Sequence, residues 1–96
     1  MAKFKFDAKR RARSGIRVAN GTACTVTQEG MAGIQNLSTT PLFVKFGAGA
    51  SATDFDIILA AGSAADDGKG AYAEFVHYVG DITVFSATPR YVAWGC

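Results

Sequence analysis

The chain has 96 residues, of which 49% are hydrophobic and 19% charged. This composition is typical of one folded domain and excludes an intrinsically disordered chain. The first residues contain no apolar run long enough for a signal peptide or a membrane span. We therefore expect a protein that is made and kept in a reducing cytoplasm, where Cys24 and Cys96 stay unpaired.

Charge is distributed unevenly along the chain. Residues 1–17 contain seven basic residues and one acid, a net charge of +6, whereas residues 18–96 contain three basic and seven acidic residues, a net charge of −4. The basic residues of the first segment are Lys3, Lys5, Lys9, Arg10, Arg11, Arg13 and Arg17, and Phe4 and Phe6 are its large apolar residues. These charges leave no apolar face for a core helix, so we predict an extended basic N-terminal arm over residues 1–14. Residues 15–96 are predicted to form the folded domain.

The first elements after the arm read as short strands and turns. Residues 15–19 run into Asn20-Gly21, a strong hairpin signal, which predicts pairing with the alternating run at 24–28. A weaker strand is predicted at 30–36, and the turn that follows is closed by Pro41, which fixes φ and lacks an N–H donor.

The second half of the chain shows the same pattern of short strands separated by turns. Strands are predicted at 42–46, 54–60, 71–79, 82–85 and 90–94, with a glycine-rich loop at 47–53 and a polar tip at 66–70. No segment has a helical period. About seven to eight short strands at regular spacing predict an all-β fold, either an antiparallel β-sandwich or a small barrel.

No catalytic or metal site is expected. His77 is the one histidine, and with no partner beside it in the sequence we interpret it as a half-exposed sheet residue. Two distant cysteines and one histidine do not have zinc-ligand spacing. The glycine-rich run after residue 46 leads into a strand instead of a helix, so it does not match a phosphate-binding loop. We therefore expect a non-enzyme without cofactors.

The strands at 42–46 and 72–79 are apolar on both faces, which is typical of strands that are buried on both sides. Part of the aromatic set is therefore predicted to contact another chain. The candidate subunit-interface residues are Phe43, Phe46, Tyr72, Phe75 and Tyr78. We expect a homo-oligomer.

The basic arm is the main functional signal, and three interpretations stay open. Clustered cations interleaved with aromatic residues can neutralise phosphates and stack on bases of single-stranded nucleic acid. The same cations can bind an acidic face of a neighbouring subunit, or they can serve solubility alone.

Four segments resemble a class of small β-sandwich structural proteins of tailed bacteriophages. They are residues 34–47 (IQNLSTTPLFVKFG), 55–62 (FDIILAAG), 78–84 (YVGDITV) and 91–94 (YVAW). The resemblance implies a virion protein made in the bacterial host cytoplasm, of the capsid decoration, minor capsid, head-fibre or tail accessory type. Its expected partners are the major capsid protein or copies of itself, with no membrane.

The resemblance does not cover the arm. We expect a capsid-associated subunit that assembles through its β-sandwich and anchors by the arm. The alternative is a small nucleic-acid-binding protein that uses the arm on single-stranded DNA or RNA, or on packaged genome.

Overall fold

The structure, a computed structural model, describes residues 14–63 and 70–96. The arm up to Arg13 and most of the predicted polar tip lie outside the described residues. The described part contains seven strands and no helix. The strands are β1 Gly21–Val26, β2 Ala32–Asn36, β3 Leu42–Phe46, β4 Ile57–Leu59, β5 Tyr72–Phe75, β6 Gly80–Phe85 and β7 Tyr91–Trp94.

The strands form two antiparallel sheets, which confirms the all-β antiparallel prediction. The larger sheet has the order β1-β6-β3-β4 and the smaller sheet the order β5-β2-β7. β3 has the predicted bounds, whereas the strand predicted at 71–79 ends at Phe75 because the backbone turns at His77, whose φ is 63°.

One hydrophobic core lies between the two sheets. From the larger sheet, Val44 and Val84 are paired across β3 and β6, and both are almost fully buried. From the smaller sheet, Ile34 and Ala93 are paired across β2 and β7 and join the same cluster. The alternation of apolar residues along each strand therefore sends one face of each sheet into a shared core. β7 is buried along its whole length.

The hairpin predicted at Asn20-Gly21 is wrong. β1 pairs with β6, and the segment before it is bonded to β7 through Arg17. The Asn20 side chain instead bonds the backbone of Ser86. Asn20 Nδ2 donates to Ser86 O at 3.0 Å, and Asn20 Oδ1 accepts Ser86 N–H at 2.8 Å. The pairing of β1 with a distant strand outweighs the local turn preference. Gly21 is the first residue of β1, and its φ of 117° is a backbone conformation that glycine adopts readily.

The prediction that the cysteines stay unpaired is also wrong. Cys24 and Cys96 form a disulfide, with their Cα atoms 5.6 Å apart. Cys24 lies in β1 of the larger sheet, and Cys96 follows β7 of the smaller sheet. The fold brings these residues together because β1 lies over β7, an arrangement that spacing along the chain does not reveal. The bond covalently joins the two sheets.

An internal repeat underlies the two sheets. Residues 33–47 and 81–95 align at an offset of 48 positions with six identities. The identical pairs are Ile34/Ile82, Ser38/Ser86, Thr40/Thr88, Pro41/Pro89, Val44/Val92 and Gly47/Gly95. The first copy contributes β2 and β3 and the second β6 and β7, so each copy crosses from one sheet to the other. The same local sequence therefore makes the same crossing twice.

Four hydroxyl side chains form a hydrogen-bonded cluster where the two crossings meet. Ser38 Oγ lies 2.8 Å from Thr88 Oγ1, and Ser86 Oγ lies 2.7 Å from Thr40 Oγ1, which are equivalent contacts of the two copies. The two threonine hydroxyl oxygens lie 2.8 Å apart. The cluster ties the turn before β3 to the turn before β7 and gives the buried hydroxyls of Ser38 and Ser86 their partners.

The outer face of the smaller sheet has a close contact between Gly33 and Trp94, which are paired across β2 and β7. A β-carbon at position 33 would overlap Cζ2 of the Trp94 ring. We therefore expect Gly33→Ala to lower the free energy of unfolding by about 2 kcal/mol through overpacking. Urea unfolding followed by the fluorescence of the one tryptophan checks this. Gly15→Ala, where a β-carbon meets nothing within 4 Å, is the control; equal midpoints for both variants would contradict the prediction.

Candidate assembly surfaces

Apolar side chains cluster on the outer face of the larger sheet, away from the core. Phe43 and Phe85 are paired across β3 and β6, and Ile58 of β4 is paired with Phe43 on its other side. The Phe55 ring packs on Phe43, with ring centroids 5.1 Å apart, and Phe43 and Phe85 centroids are 6.3 Å apart. We call Phe43, Phe55, Ile58 and Phe85 the outer patch.

The outer patch is accessible at one edge of the sheet. Ile58 is 51% exposed and Phe55 36% exposed, whereas Phe43 and Phe85 are half-buried beneath them. Contiguous exposed apolar side chains on a small domain mark an interaction surface more often than scattered ones do. The patch therefore lies where the larger sheet can meet another molecule.

β4 is an open edge strand. Within residues 14–63 and 70–96 it pairs with β3 alone and ends the larger sheet. Asp56 N–H donates to Val44 O at 2.8 Å, toward β3. Gly47 N–H donates to Asp81 O at 2.8 Å, so Phe43 and Lys45 direct their backbone groups to β6, and Val44 directs its own to its partner Ile57 in β4. Since successive backbone groups of a strand alternate in direction, Ile58 N–H and C=O point to the open side. An edge with unpaired backbone groups beside apolar side chains is suited to accept a further strand.

Two carboxylates border the open edge and the outer patch. The Asp54 carboxylate pairs with Lys45 Nζ at 2.6 Å, and its side chain is still 60% exposed. The Asp56 carboxylate accepts the backbone N–H of Phe46 at 2.8 Å and is also exposed. Both aspartates can therefore receive a further cation from solvent without losing these contacts.

The five predicted interface residues fall in different environments. Phe46, Phe75 and Tyr78 contact each other within the chain, with ring centroids 4.9 to 6.5 Å apart, and pack against the core. Phe43 belongs to the outer patch, and Tyr72 is 62% exposed on the outer face of the smaller sheet. Sequence reasoning missed Phe55, Ile58 and Phe85 as members of one surface, because their proximity depends on pairing between distant strands.

The root of the basic arm lies along the open side of β7. Ser14 N–H donates to Ala93 O, and Arg17 exchanges two backbone hydrogen bonds with Tyr91, at 2.8 and 2.9 Å. The Arg17 guanidinium donates to Ala23 O at 2.9 Å. Arg17 is thus the one predicted arm cation among the described residues; Lys3, Phe4, Lys5, Phe6, Lys9, Arg10, Arg11 and Arg13 lie outside them.

Tyr91 and His77 are two titratable side chains that could be considered as catalytic groups. Burial raises the pKa of the Tyr91 phenol above its usual 10, opposed by the positive charge of Arg17 and a hydrogen bond from it. The phenol donates to Ala19 O at 2.9 Å, a structural contact. His77 is not a sheet residue as predicted: it lies after β5, is exposed, and has its Nδ1 2.9 Å from Glu29 Oε1.

Neither a metal centre nor a membrane span is visible in the described part of the chain. No group of three or more His, Cys, Asp or Glu side chains there is arranged to hold a metal ion. None of its elements is a helix of the length and apolarity needed to cross a bilayer.

Comparison of the chain with known protein families, with curated proteins and with solved structures finds no match. The candidate surfaces are therefore interpreted from their own geometry.

Proposed function

We propose that this chain is a structural subunit of a bacteriophage virion, capsid-associated as a decoration or minor capsid protein. Its two sheets act as a β-sandwich whose outer surfaces contact neighbouring copies or the major capsid protein. The basic N-terminal arm leaves from the β7 edge and anchors the subunit. In this proposal the chain is a binding and assembly module without a reaction of its own.

The observation that carries the proposal is the outer patch beside the open edge of β4. A domain of this size has a thin core and gains stability when it buries further apolar surface against a partner. Exposed Phe55 and Ile58 supply such surface, and they lie next to backbone groups that a neighbouring strand can pair with. The resemblance of the segments at 34–47, 55–62, 78–84 and 91–94 to small tailed-phage structural proteins favours a virion as the assembly.

The distribution of charge supports the proposal that the arm of one copy binds the domain of another. The +6 segment and the −4 remainder of the chain attract each other between copies, which favours association at low salt. The pairing of residues 14–17 with β7 puts the start of the arm at the side of the domain, where we expect the arm to meet a neighbour.

We expect the chain to associate in solution through the outer patch. Replacing Phe55 and Ile58 by serine (F55S/I58S) is expected to weaken self-association by about a hundredfold, since each buried apolar side chain contributes roughly 1.5 kcal/mol or more. Light scattering over a concentration series measures the change. The control is V76S/V79S, which removes two similarly exposed apolar residues, 49% and 51%, from the β5–β6 connection.

Two outcomes would overturn the proposal. A chain that is monomeric at all concentrations would remove self-assembly as its role. A monomer that binds a short single-stranded oligonucleotide tightly at low salt and loses it steeply as salt rises would favour the nucleic-acid alternative, with the arm as a phosphate-neutralising segment.

A further inference from the structure

We propose that the open edge of β4 binds residues 3–6 of a second copy of this chain as an added strand. The inference rests on the proposed function and names the contact through which copies associate. Each subunit then donates its arm to one neighbour and accepts the arm of another.

The sequence of residues 3–6, Lys-Phe-Lys-Phe, has the alternation that such an added strand requires. In an extended segment successive side chains point to opposite faces, so Phe4 and Phe6 share one face and Lys3 and Lys5 share the other. Paired with β4, the two phenylalanines continue the outer patch beside Ile58 and Phe55. Aromatic pairs of this kind add stabilisation beyond the area that they bury.

The charges at the edge match those of the arm. Asp54 and Asp56 border the open edge and stay exposed, and residues 18–96 of the acceptor have a net charge of −4. The arm brings Lys3 and Lys5 with the added strand and five further cations behind it. A basic edge would repel this arm, so charge selects the arm among the segments of this chain as the occupant.

The arm root and the acceptor edge lie on opposite sides of the domain. The Cys24–Cys96 disulfide places β1 over β7, and the contact of Phe46 with Phe75, 4.9 Å between centroids, places β3 over β5. Residues 14–17 therefore lie outside β7 on one side, and β4 lies outside β3 on the other.

This placement makes the donor a second copy. A strand added to β4 lies five strand spacings from residues 14–17, about 24 Å, and the sheets are about 10 Å apart, which makes a path around the domain of about 34 Å. The eight residue steps from Phe6 to Ser14 span at most about 29 Å when fully extended. The arm of a neighbouring copy approaches the edge without this detour.

A donor on one side and an acceptor on the other give a head-to-tail contact. Such contacts use two different surfaces, so they close into rings or continue into filaments, and the smallest closed form is a dimer whose two copies exchange arms. The expected assemblies are therefore arm-exchanged dimers, larger rings or filaments.

The test uses charge reversal and mixing of full-length chains. The donor variant K3E/K5E leaves the domain unchanged, and the acceptor variant D54K/D56K leaves the arm unchanged. Each alone is expected to associate about tenfold more weakly than the unaltered chain. An equimolar mixture of the two is expected to regain association, because the acidic residues 3–6 of one variant fit the basic edge of the other, and the basic residues 3–6 of the second fit the acidic edge of the first. Light scattering measures association, and circular dichroism checks that D54K/D56K is folded.

The control is K9E/R10E, which makes the same change in charge outside residues 3–6 and is expected to keep most of the association. Equal losses for K9E/R10E and K3E/K5E, or a mixture that stays dissociated, would overturn the inference. An unaltered chain that associates while the K3E/K5E variant does so equally well refutes the β4 contact but leaves the proposed function standing. A monomeric unaltered chain refutes both.

Discussion

Reduction of the Cys24–Cys96 disulfide is expected to lower the free energy of unfolding by about 4 kcal/mol. The bond closes a loop with a sequence separation of 72, and in the chain-entropy account a loop of this length restricts the unfolded chain by about that amount. This is a large fraction of the stability of a small domain. Denaturant unfolding with and without a thiol reductant, followed by Trp94 fluorescence, measures the difference.

The matched variant is Cys96→Ser, which removes the bond at its exposed end and leaves the buried Cys24 side chain in place. It is expected to unfold at the same denaturant concentration in the presence and absence of reductant, and close to the reduced unaltered chain. An unaltered chain whose unfolding midpoint does not respond to reductant would show that the bond contributes nothing to stability.

Local pattern was sufficient to predict most strands. The short apolar runs at 42–46 and 82–85 specify β3 and most of β6, because β-branched and aromatic residues between turn signals favour a strand whatever its partner is. The local pattern could not predict which strands pair with each other. Asn20-Gly21 predicts a local hairpin on chemistry alone, and only the position of β6 beside β1 shows that the turn is used differently.

The candidate surfaces were predictable to a smaller extent. The two-sided apolar character of 42–46 pointed to Phe43, which is part of the outer patch. The same reasoning selected Phe46 and Phe75, which contact each other between the sheets within one chain. A period of two cannot tell an intramolecular neighbour from an intermolecular one, since both bury the second face of a strand.

The disulfide shows a different limit of sequence reasoning. Its absence was inferred from the assumed compartment and from the absence of a signal peptide, not from any property of Cys24 or Cys96. The contact depends on β1 lying over β7, which is set by the long-range pairing of both sheets. The repeat at 33–47 and 81–95 is visible in the sequence, and it predicts that two crossings have the same geometry even where their partners are unknown.

Asn36 was predicted only as the last residue of a weak strand before a turn, and the structure gives it a larger role. It is the last residue of β2 and is completely buried. Its Nδ2 donates toward the carbonyl oxygens of Thr40, Leu59 and Ala60 at 3.0, 3.1 and 3.2 Å, and its Oδ1 accepts the N–H of Ser38 at 2.8 Å. One side chain thus joins the end of β2, the turn after it and the end of β4.

Asn36→Ala is therefore expected to lower the free energy of unfolding by about 3 kcal/mol, because it deprives Leu59 O and Ser38 N–H of a hydrogen-bond partner in a buried site. Denaturant unfolding of the variant measures this loss. The control is Asn20→Ala, which removes the two hydrogen bonds to Ser86 at an exposed position and is expected to cost about 1 kcal/mol. If Asn36→Ala costs no more than Asn20→Ala, the buried amide does not hold β2 and β4 together. The open edge that we propose for the arm would then be positioned by the pairing of β4 with β3 alone.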